Sequence, residues 1–441
     1  MKGFKSYYSV LLATTTASFL TPFTTSSIAI ALPVMALEFN VDLANVNWVV
    51  NAFLITLAST VFVIGRVSDW LGRGRMFTLG ITVFTIASLA TSLARSYVDV
   101  IICRSLQGIA AAMISSTAVA ILSEELPKWK RGIGIGVNTT AVYLGLSLGP
   151  LVSGYLINYF GWRSLFTLKT IISLMSLVIT VRTIKLRRSS TSRPNIPISI
   201  LIISSIAMII YGTSNISNLY GIIVASFGGT LLVTTFLVER SSHRVLHPSL
   251  LKKSVLAANT AALLNYSATY ALTVLLSTYL QKLRGLPPSD TGLILTTQPI
   301  LQVLLSPIAG LLADRYDPSI LATIGMTTIT AGIYNLIFIN YETPITYLIY
   351  MLIVLGIGFA FFASPNTTAV MNMSSREAYG SATALLATMR FLGQALSISV
   401  ITSIMTIQRD LMTAIKTSLM IYVTLSIIGT ILSLIPRFNR E

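Results

Sequence analysis

Charge is almost missing from long stretches of this sequence, and that absence constrains its fold more than any motif does. Charged residues make up 10% of the 441 residues, against 54% hydrophobic ones; a soluble domain carries about a quarter. The charges gather in short clusters separated by apolar runs of about 20 residues, the length that crosses a bilayer as a helix. In lipid every backbone N–H and C=O must find its partner within the chain, so runs of this length predict helices. The expectation is an all-α polytopic membrane protein with about 14 transmembrane helices. The expected helix cores are Ser9–Leu37, Asn47–Gly65, Phe77–Ala94, Val98–Leu122, Ile133–Tyr159, Ser164–Thr183 and Ile196–Gly212. They continue with Leu219–Val238, Val255–Leu280, Gly292–Ala313, Ile320–Ile339, Thr346–Val370, Ser381–Thr406 and Met412–Leu434. The first runs past Pro33 with no small-residue cleavage site behind a short apolar core, so it reads as a span and not as a cleaved signal.

A net charge of +16 would point to nucleic acid in a soluble protein. Here Arg73 and Arg75, then Lys128, Lys130 and Arg131, then Lys185, Arg187, Arg188 and Arg193 fall in loops on one side of the helices. So do the Arg240–Lys253 loop and the tail with Arg437 and Arg440. Basic loops mark the cytoplasmic side, so no nucleic-acid partner is expected. An even helix count puts both termini in the cytoplasm, consistent with Lys2 and Lys5, in a cell (plasma or inner) membrane. The lone Cys103 excludes an internal disulfide. His243 and His247 share a basic loop with Arg240, Arg244, Lys252 and Lys253, so neither a metal site nor a cofactor is expected.

The sequence also resembles itself. Gly65-Arg-Val-Ser-Asp69 returns as Gly310-Leu-Leu-Ala-Asp314, followed by Arg315, at an offset of 314 − 69 = 245. Leu144-Gly145 returns as Leu392-Gly393 and Gly108 returns as Gly356, at offsets of 393 − 145 = 248 and 356 − 108 = 248. Near-equal offsets imply two six-helix halves, residues 1–188 and 248–441, with two extra helices in residues 189–247 between them. Paired halves with a small-molecule site between them are what alternating access requires.

Three elements carry chemistry. Gly65-Arg66-Val67-Ser68-Asp69-Trp70-Leu71-Gly72-Arg73-Gly74-Arg75 lies in a short loop, where Gly65 and Gly72 permit a tight turn and close helix approach. There Asp69 can face a neighbouring helix N-terminus and Arg73 can pair with a carboxylate or a headgroup, a clamp that holds one conformation and releases in another. Arg104-Ser105-Leu106-Gln107-Gly108 lies inside a helix, with Arg104 about 10 Å from its outer end. An arginine there either faces a polar cavity, the first expectation, or snorkels toward Asp99. Gly145, Gly149, Pro150 and Gly154 form a small-residue helix face that lets backbones pack closely, with a kink allowed at Pro150.

These elements, with Gly161-Trp162-Arg163, Leu32-Pro33, His247-Pro248 and Arg390 with Gly393, resemble the signature motifs of the major facilitator superfamily. The Arg104–Gln107 and Gly145–Gly154 elements resemble those of its drug–proton antiporters, and the helix count resembles the fourteen-helix branch. The resemblance implies a secondary transporter working by alternating access, exporting amphipathic, drug-like small molecules. It is expected to sit in the bilayer as a monomer. The chain departs from the pattern at several places. Thr24 stands where the branch usually has an aspartate, Ala29 and Lys169 where asparagine is frequent, and Ser153 where the motif closes on glycine.

The missing carboxylate has a consequence for coupling. The acids are Glu38, Asp42, Asp69, Asp99, Glu124, Glu125, Glu239, Asp290, Asp314, Asp317, Glu342, Glu377, Asp410 and Glu441, all in loops or near helix ends. What lies deeper is cationic: Arg104, Lys169 and Arg390. Buried cations without acids favour an anionic partner or backbone carbonyls. The alternative function is therefore a carrier, even a uniporter, for an organic anion held by Arg104, Lys169 or Arg390, without proton coupling through a helix-one carboxylate. Lys169 is expected to snorkel to the outer leaflet or else to meet substrate, and Arg390 to brace helices or meet substrate. Asn51, Gln107, Asn138, Tyr143, Asn265, Tyr266, Tyr270, Gln298 and Gln302 complete the polar candidates, the last two at i, i+4 around Pro299. No filter or ring motif points to a channel, no appended domain points to a sensor, and no nucleophile or acid pair points to an enzyme.

Overall fold

The computed structural model describes residues 2–127, 130–184, 194–238, 250, 252–374 and 379–438. Lys128, Lys185, Arg187, Arg188, Arg193, Arg240, Arg244, Arg440, His243, His247 and Pro248, with Glu239, Glu377 and Glu441, lie outside them. The described chain folds as α1 (Lys2–Glu38), α2 (Leu43–Val46), α3 (Trp48–Leu71), α4 (Arg73–Ser92), α5 (Tyr97–Glu125), α6 (Arg131–Phe160), α7 (Trp162–Thr183) and α8 (Ile196–Ser214). It continues as α9 (Leu219–Val238), α10 (Lys253–Thr269), α11 (Leu272–Thr278), a π-helical turn (Tyr279–Leu283), α12 (Pro288–Arg315), α13 (Pro318–Leu336), α14 (Ile345–Met373), α15 (Tyr379–Ile407) and α16 (Leu411–Phe438).

Among the described residues, 12 helices are long and apolar enough to cross a membrane. The other two expected segments are α9, apolar over Leu219–Thr235, and the stretch Val255–Leu280, which was expected to be one helix and is instead α10, α11 and the π-helical turn. Helix starts follow local chemistry. Ser96 and Asp99 form a reciprocal capping box at α5, and Asp317 with Pro318 opens α13.

The chain divides into two compact units, Met1–Ala207 with Pro287–Gly292, and Met208–Leu286 with Leu293–Glu441. In the first, Val10, Ala13, Ala17 and Leu20 of α1 pack with Phe77, Ile81 and Phe84 of α4 and Ala110, Ile114, Ala118 and Ile121 of α5. In the second, Leu250, Val255 and Ala258 meet Val370, Ala382 and Leu385.

The repeated glycines make repeated contacts. A Cβ on Gly145 would stand 2.6 Å from the Phe19 carbonyl oxygen of α1, and one on Gly393 would stand 2.5 Å from the Leu263 carbonyl oxygen of α10. A Cβ on Gly108 would lie 2.3 Å from the Phe53 oxygen, and one on Gly356 would lie 2.7 Å from the Gln298 oxygen. The partners are offset by 263 − 19 = 244 and 298 − 53 = 245 residues, so each unit builds the same helix pairs from matching positions.

Candidate functional site

The loop between α3 and α4 is a tight turn because Gly72 takes φ 101°, a left-handed conformation open to glycine. That turn lets Arg73, the first residue of α4, reach back and sideways. Its Nε donates to Asp69 Oδ1 at 2.8 Å and its Nη1 to Glu124 Oε1, on α5, at 2.6 Å. The expected carboxylate partner of Arg73 is thus Glu124. The matching turn in the second unit differs: Asp314 and Arg315 are exposed and make no ion pair among the described residues. Nearby in the first unit, Lys130 sits over the rings of Tyr7 and Tyr8, at 4.2 and 5.1 Å. Its hydrogen bond to the Tyr7 hydroxyl raises its pKa above the ordinary lysine value.

At the other end of the first unit is a clasp whose partners sequence reasoning missed. Trp162 Nε1 donates to Glu38 Oε2 at 2.7 Å, and Arg163 pairs with Glu38 Oε1 at 2.5 Å while donating to the Ala94 carbonyl at 2.9 Å. Glu38 was visible only as an acid at a helix end; a buried tryptophan followed by arginine at the start of α7 was the available signal.

Between these ends lies a buried polar layer. Arg104 is fully buried, its Nε donating to the Val49 carbonyl at 2.9 Å and its Nη1 to Gln107 Oε1 at 2.9 Å, with its guanidinium 4.3 Å over the Phe53 ring. Gln107 Nε2 donates in turn to Ser88 Oγ at 3.1 Å. Arg104 therefore does not snorkel toward Asp99, which caps its own helix by accepting from Ser96 N. It ties α5 to α3.

Of the two readings of Lys169, outer-leaflet snorkel or substrate contact, the snorkel does not hold: the residue is fully buried, with its ammonium 4.4 Å from the Phe166 ring and 6.0 Å from the Phe23 ring. Its Nζ has no hydrogen-bond partner among the described residues, and the same holds for Thr24 Oγ1 and Asn138 Oδ1. Thr24 and Asn51 are fully buried, Asn138 is buried, and Tyr143 is half-buried.

In the second unit α10 breaks at Tyr270–Ala271, where the Ala271 N–H is taken by Ser397 Oγ of α15 at 3.0 Å. A side chain that re-satisfies the freed amide makes such a break tolerable in an apolar environment. Beside it Asn265 is buried, its side-chain oxygen meeting Thr269 Oγ1 at 3.4 Å, and Tyr266 packs edge-on to Phe359 at 5.4 Å. Gln302 is buried and Gln298 half-buried in α12, on either side of Pro299. Arg390 is half-buried, its guanidinium 4.6 Å over the Phe391 ring. The surface hollow lined by Phe338, Asn340, Glu342, Thr343, Pro344 and Tyr347 includes none of the predicted residues.

Known proteins are similar to this chain over most of its length. The riboflavin transporter RibZ of Clostridioides difficile is 26% identical over 396 residues, covering 89% of this chain and 87% of that protein. The multidrug resistance protein Stp of Mycobacterium tuberculosis is 26% identical over 387 residues, covering 85% of this chain and 72% of that protein. A crystal structure of the peptide transporter POT in complex with sulfate superposes with a TM-score of 0.75 at 14% identity, over 99% of this chain and 95% of that one, and shares its fold. The family description of the Major Facilitator Superfamily matches residues 14–241 and 258–440, and the chain belongs to that superfamily, as a multi-pass membrane transporter and not an enzyme.

Proposed function

We propose that this transporter exports amphipathic small molecules across the cell membrane by alternating access. The observation that carries this reading is the repeated glycine contact, Gly145 on α1 and Gly393 on α10, which gives two units of matching build that can rock as bodies. The Asp69–Arg73–Glu124 cluster is the proposed latch of one conformation. Its side chains are 33–55% exposed, so each pair is worth about 1 kcal/mol or less. A bond that weak holds a state and still releases within one transport cycle. The proposed substrate contacts are Thr24, Asn51, Arg104, Gln107, Asn138 and Lys169 in the first unit and, separately, Asn265, Gln298, Gln302 and Arg390 in the second, and residues 189–247 are the proposed linker helices. Both termini and the basic loops face the cytoplasm, as the charge bias requires.

Export is supported by relatives named a multidrug resistance protein and a tetracenomycin C resistance and export protein. One relative named a riboflavin transporter keeps metabolite carriage open as a second reading. The full burial of Lys169, whose ammonium has no hydrogen-bond partner among the described residues, favours an organic anion in that case. The test is purified protein in liposomes, screened for flux of fluorescent amphiphiles with and without an imposed pH gradient. Flux above that of empty liposomes supports the reading; its absence across a broad panel ends it.

A further inference from the structure

The inward face of α1 changes character partway along its length. Val10, Ala13, Ala17 and Leu20 alternate at three- and four-residue steps and pack into the apolar core against α4 and α5. The same stepping next reaches Thr24 and Ser27, both fully buried. Hydroxyls in an apolar helix ordinarily donate to the carbonyl three or four residues back, as Thr14, Thr16, Thr25 and Ser26 of α1 do. Thr15, Thr21, Thr24 and Ser27 have no such partner among the described residues, and of these Thr24 and Ser27 continue the inward stepping.

The cation at that level is Lys169, whose ammonium lies beside Phe23, the neighbour of Thr24 in the chain. Arg104 is close enough to act on Lys169 electrostatically, and its Nε and Nη1 donate to Val49 and Gln107. A buried ammonium without a hydrogen-bonded partner is costly, and a second cation nearby adds to that cost. Aromatic faces return only part of it. What the cluster lacks is an anion with acceptor oxygens.

We propose that Lys169, Thr24 and Ser27 form a buried subsite that accepts the carboxylate or comparable anionic group of an amphipathic substrate, with Phe23 and Phe166 walling its apolar part. The anion takes a charge-assisted hydrogen bond from the Lys169 ammonium and donors from the two hydroxyls. Arg104 supplies field without direct contact. The inference rests on the transport reading above and names the substrate class for it: amphipathic anions, selected in the first unit.

The test uses one dansyl scaffold in three charge states, dansylglycine, its neutral amide and the dansyl-ethylenediamine ammonium, in proteoliposomes at fixed membrane potential. The wild type is expected to move the carboxylate at least about 10-fold faster than the ammonium, and Lys169→Met to bring the two within about 2-fold of each other while neutral-amide flux persists. Lys169→Met removes an uncompensated buried charge and is expected to raise the unfolding midpoint, which shows that the variant is folded. Thr24→Asp adds a carboxylate to the proposed subsite and is expected to suppress carboxylate flux selectively. Wild-type flux without charge preference overturns the subsite and leaves the transport reading standing. Preference unchanged in Lys169→Met does the same. No flux of any of the three in the wild type overturns both.

Discussion

The two units build the same contact, α1 with α6 in the first and α10 with α15 in the second, and then diverge at one turn of it. Gly149 of α6 faces α1 at Ser26 and Ser27, with a Cβ there falling 1.9 Å from Ser26 Oγ and 3.1 Å from Ser27 N. By the repeat, 149 + 248 = 397 and 27 + 244 = 271, so the matching pair is Ser397 and Ala271. In the second unit the serine hydroxyl takes the Ala271 N–H, and α10 breaks there. In the first unit α1 runs unbroken from Lys2 to Glu38. The buried chemistry divides in the same way: Arg104 and Lys169 in the first unit, Asn265, Gln302 and Gln394 in the second. A repeat fixed by backbone proximity leaves side chains free to differ, and here one unit took charge while the other took an irregular backbone.

The shared contact gives the largest expected effect. Gly145→Val and Gly393→Val each force a Cβ to within 2.6 and 2.5 Å of a backbone oxygen that cannot move alone. Overpacking of this kind costs about 1–3 kcal/mol, so both variants are expected to lose monodisperse yield in detergent and to unfold at lower temperature. Loss in one and tolerance in the other would break the equivalence of the two halves.

The loop turns sharpen the contrast. Asp69 is paired through Arg73, whereas Asp314 is exposed and makes no ion pair among the described residues. Removing a partly exposed pair shifts a two-state balance by about 1 kcal/mol or less, roughly 5-fold. Asp69→Asn is therefore expected to lower flux by up to about 5-fold with normal insertion, and Asp314→Asn by less than about 2-fold. Equal effects at the two positions, measured as initial rates in vesicles, would mean that the ion pair is not what sets the function of the turn.

These contrasts also mark what could be read from the residues and what could not. The spans were legible because lipid leaves a run of about 20 apolar residues few options besides helix. The close contacts were legible because a glycine repeated at a fixed offset needs a reason, and helix approach supplies it. The break at Tyr270–Ala271 was not legible: its cause, Ser397, is 126 residues away and ordinary in its own helix. The Glu38 clasp joins partners 124 and 125 residues apart, beyond any local signal. The snorkel reading of Lys169 rested on what a lysine near a helix end usually does. The stepping of Val10, Ala13, Ala17, Leu20, Thr24 and Ser27 showed where the inner face turns polar, but not which helix met it.

The starts of the last helices give a smaller effect. α7 opens on Gly161, which offers no side-chain cap, and is held by Trp162 and Arg163 on Glu38. α16 opens on Asp410, whose carboxylate accepts from the Thr413 hydroxyl at 2.6 Å and its N–H at 2.7 Å. Those bonds, the hydroxyl first, hold the Asp410 pKa below the usual aspartate value. A group depressed on folding stabilises above its unfolded pKa, and that contribution is lost as pH falls through its folded value. Asp410→Ala is expected to lower the unfolding midpoint slightly at pH 7, with the difference from wild type shrinking below about pH 4. A difference that stays constant down to pH 3 would remove the cap from the account.

The smallest expected effect is on proton coupling, and it follows from which acids the first unit lacks. Thr24 stands on the inner face of α1 and cannot titrate near neutral pH. The described acids of that unit sit at its margins: Glu38 in the clasp, Asp42 capping α2, Asp69 and Glu124 on Arg73, Asp99 in its capping box, Glu125 at the end of α5 and Asp290 in the first turn of α12. With no carboxylate at mid-depth, a pH gradient has one side chain there other than arginine on which to act, Lys169. Substrate flux in proteoliposomes at fixed membrane potential is therefore expected to change by less than about 2-fold when a one-unit pH step is imposed, where a tightly coupled proton would offer up to about 10-fold. If accumulation does follow the pH step, Lys169→Gln separates the two explanations. Accumulation lost in that variant assigns the proton to the lysine and keeps the contrast between a first unit with fully buried cations and a second whose Arg390 is half-buried. Accumulation that survives it requires a carboxylate elsewhere, and the charge asymmetry between the units would then have no part in coupling.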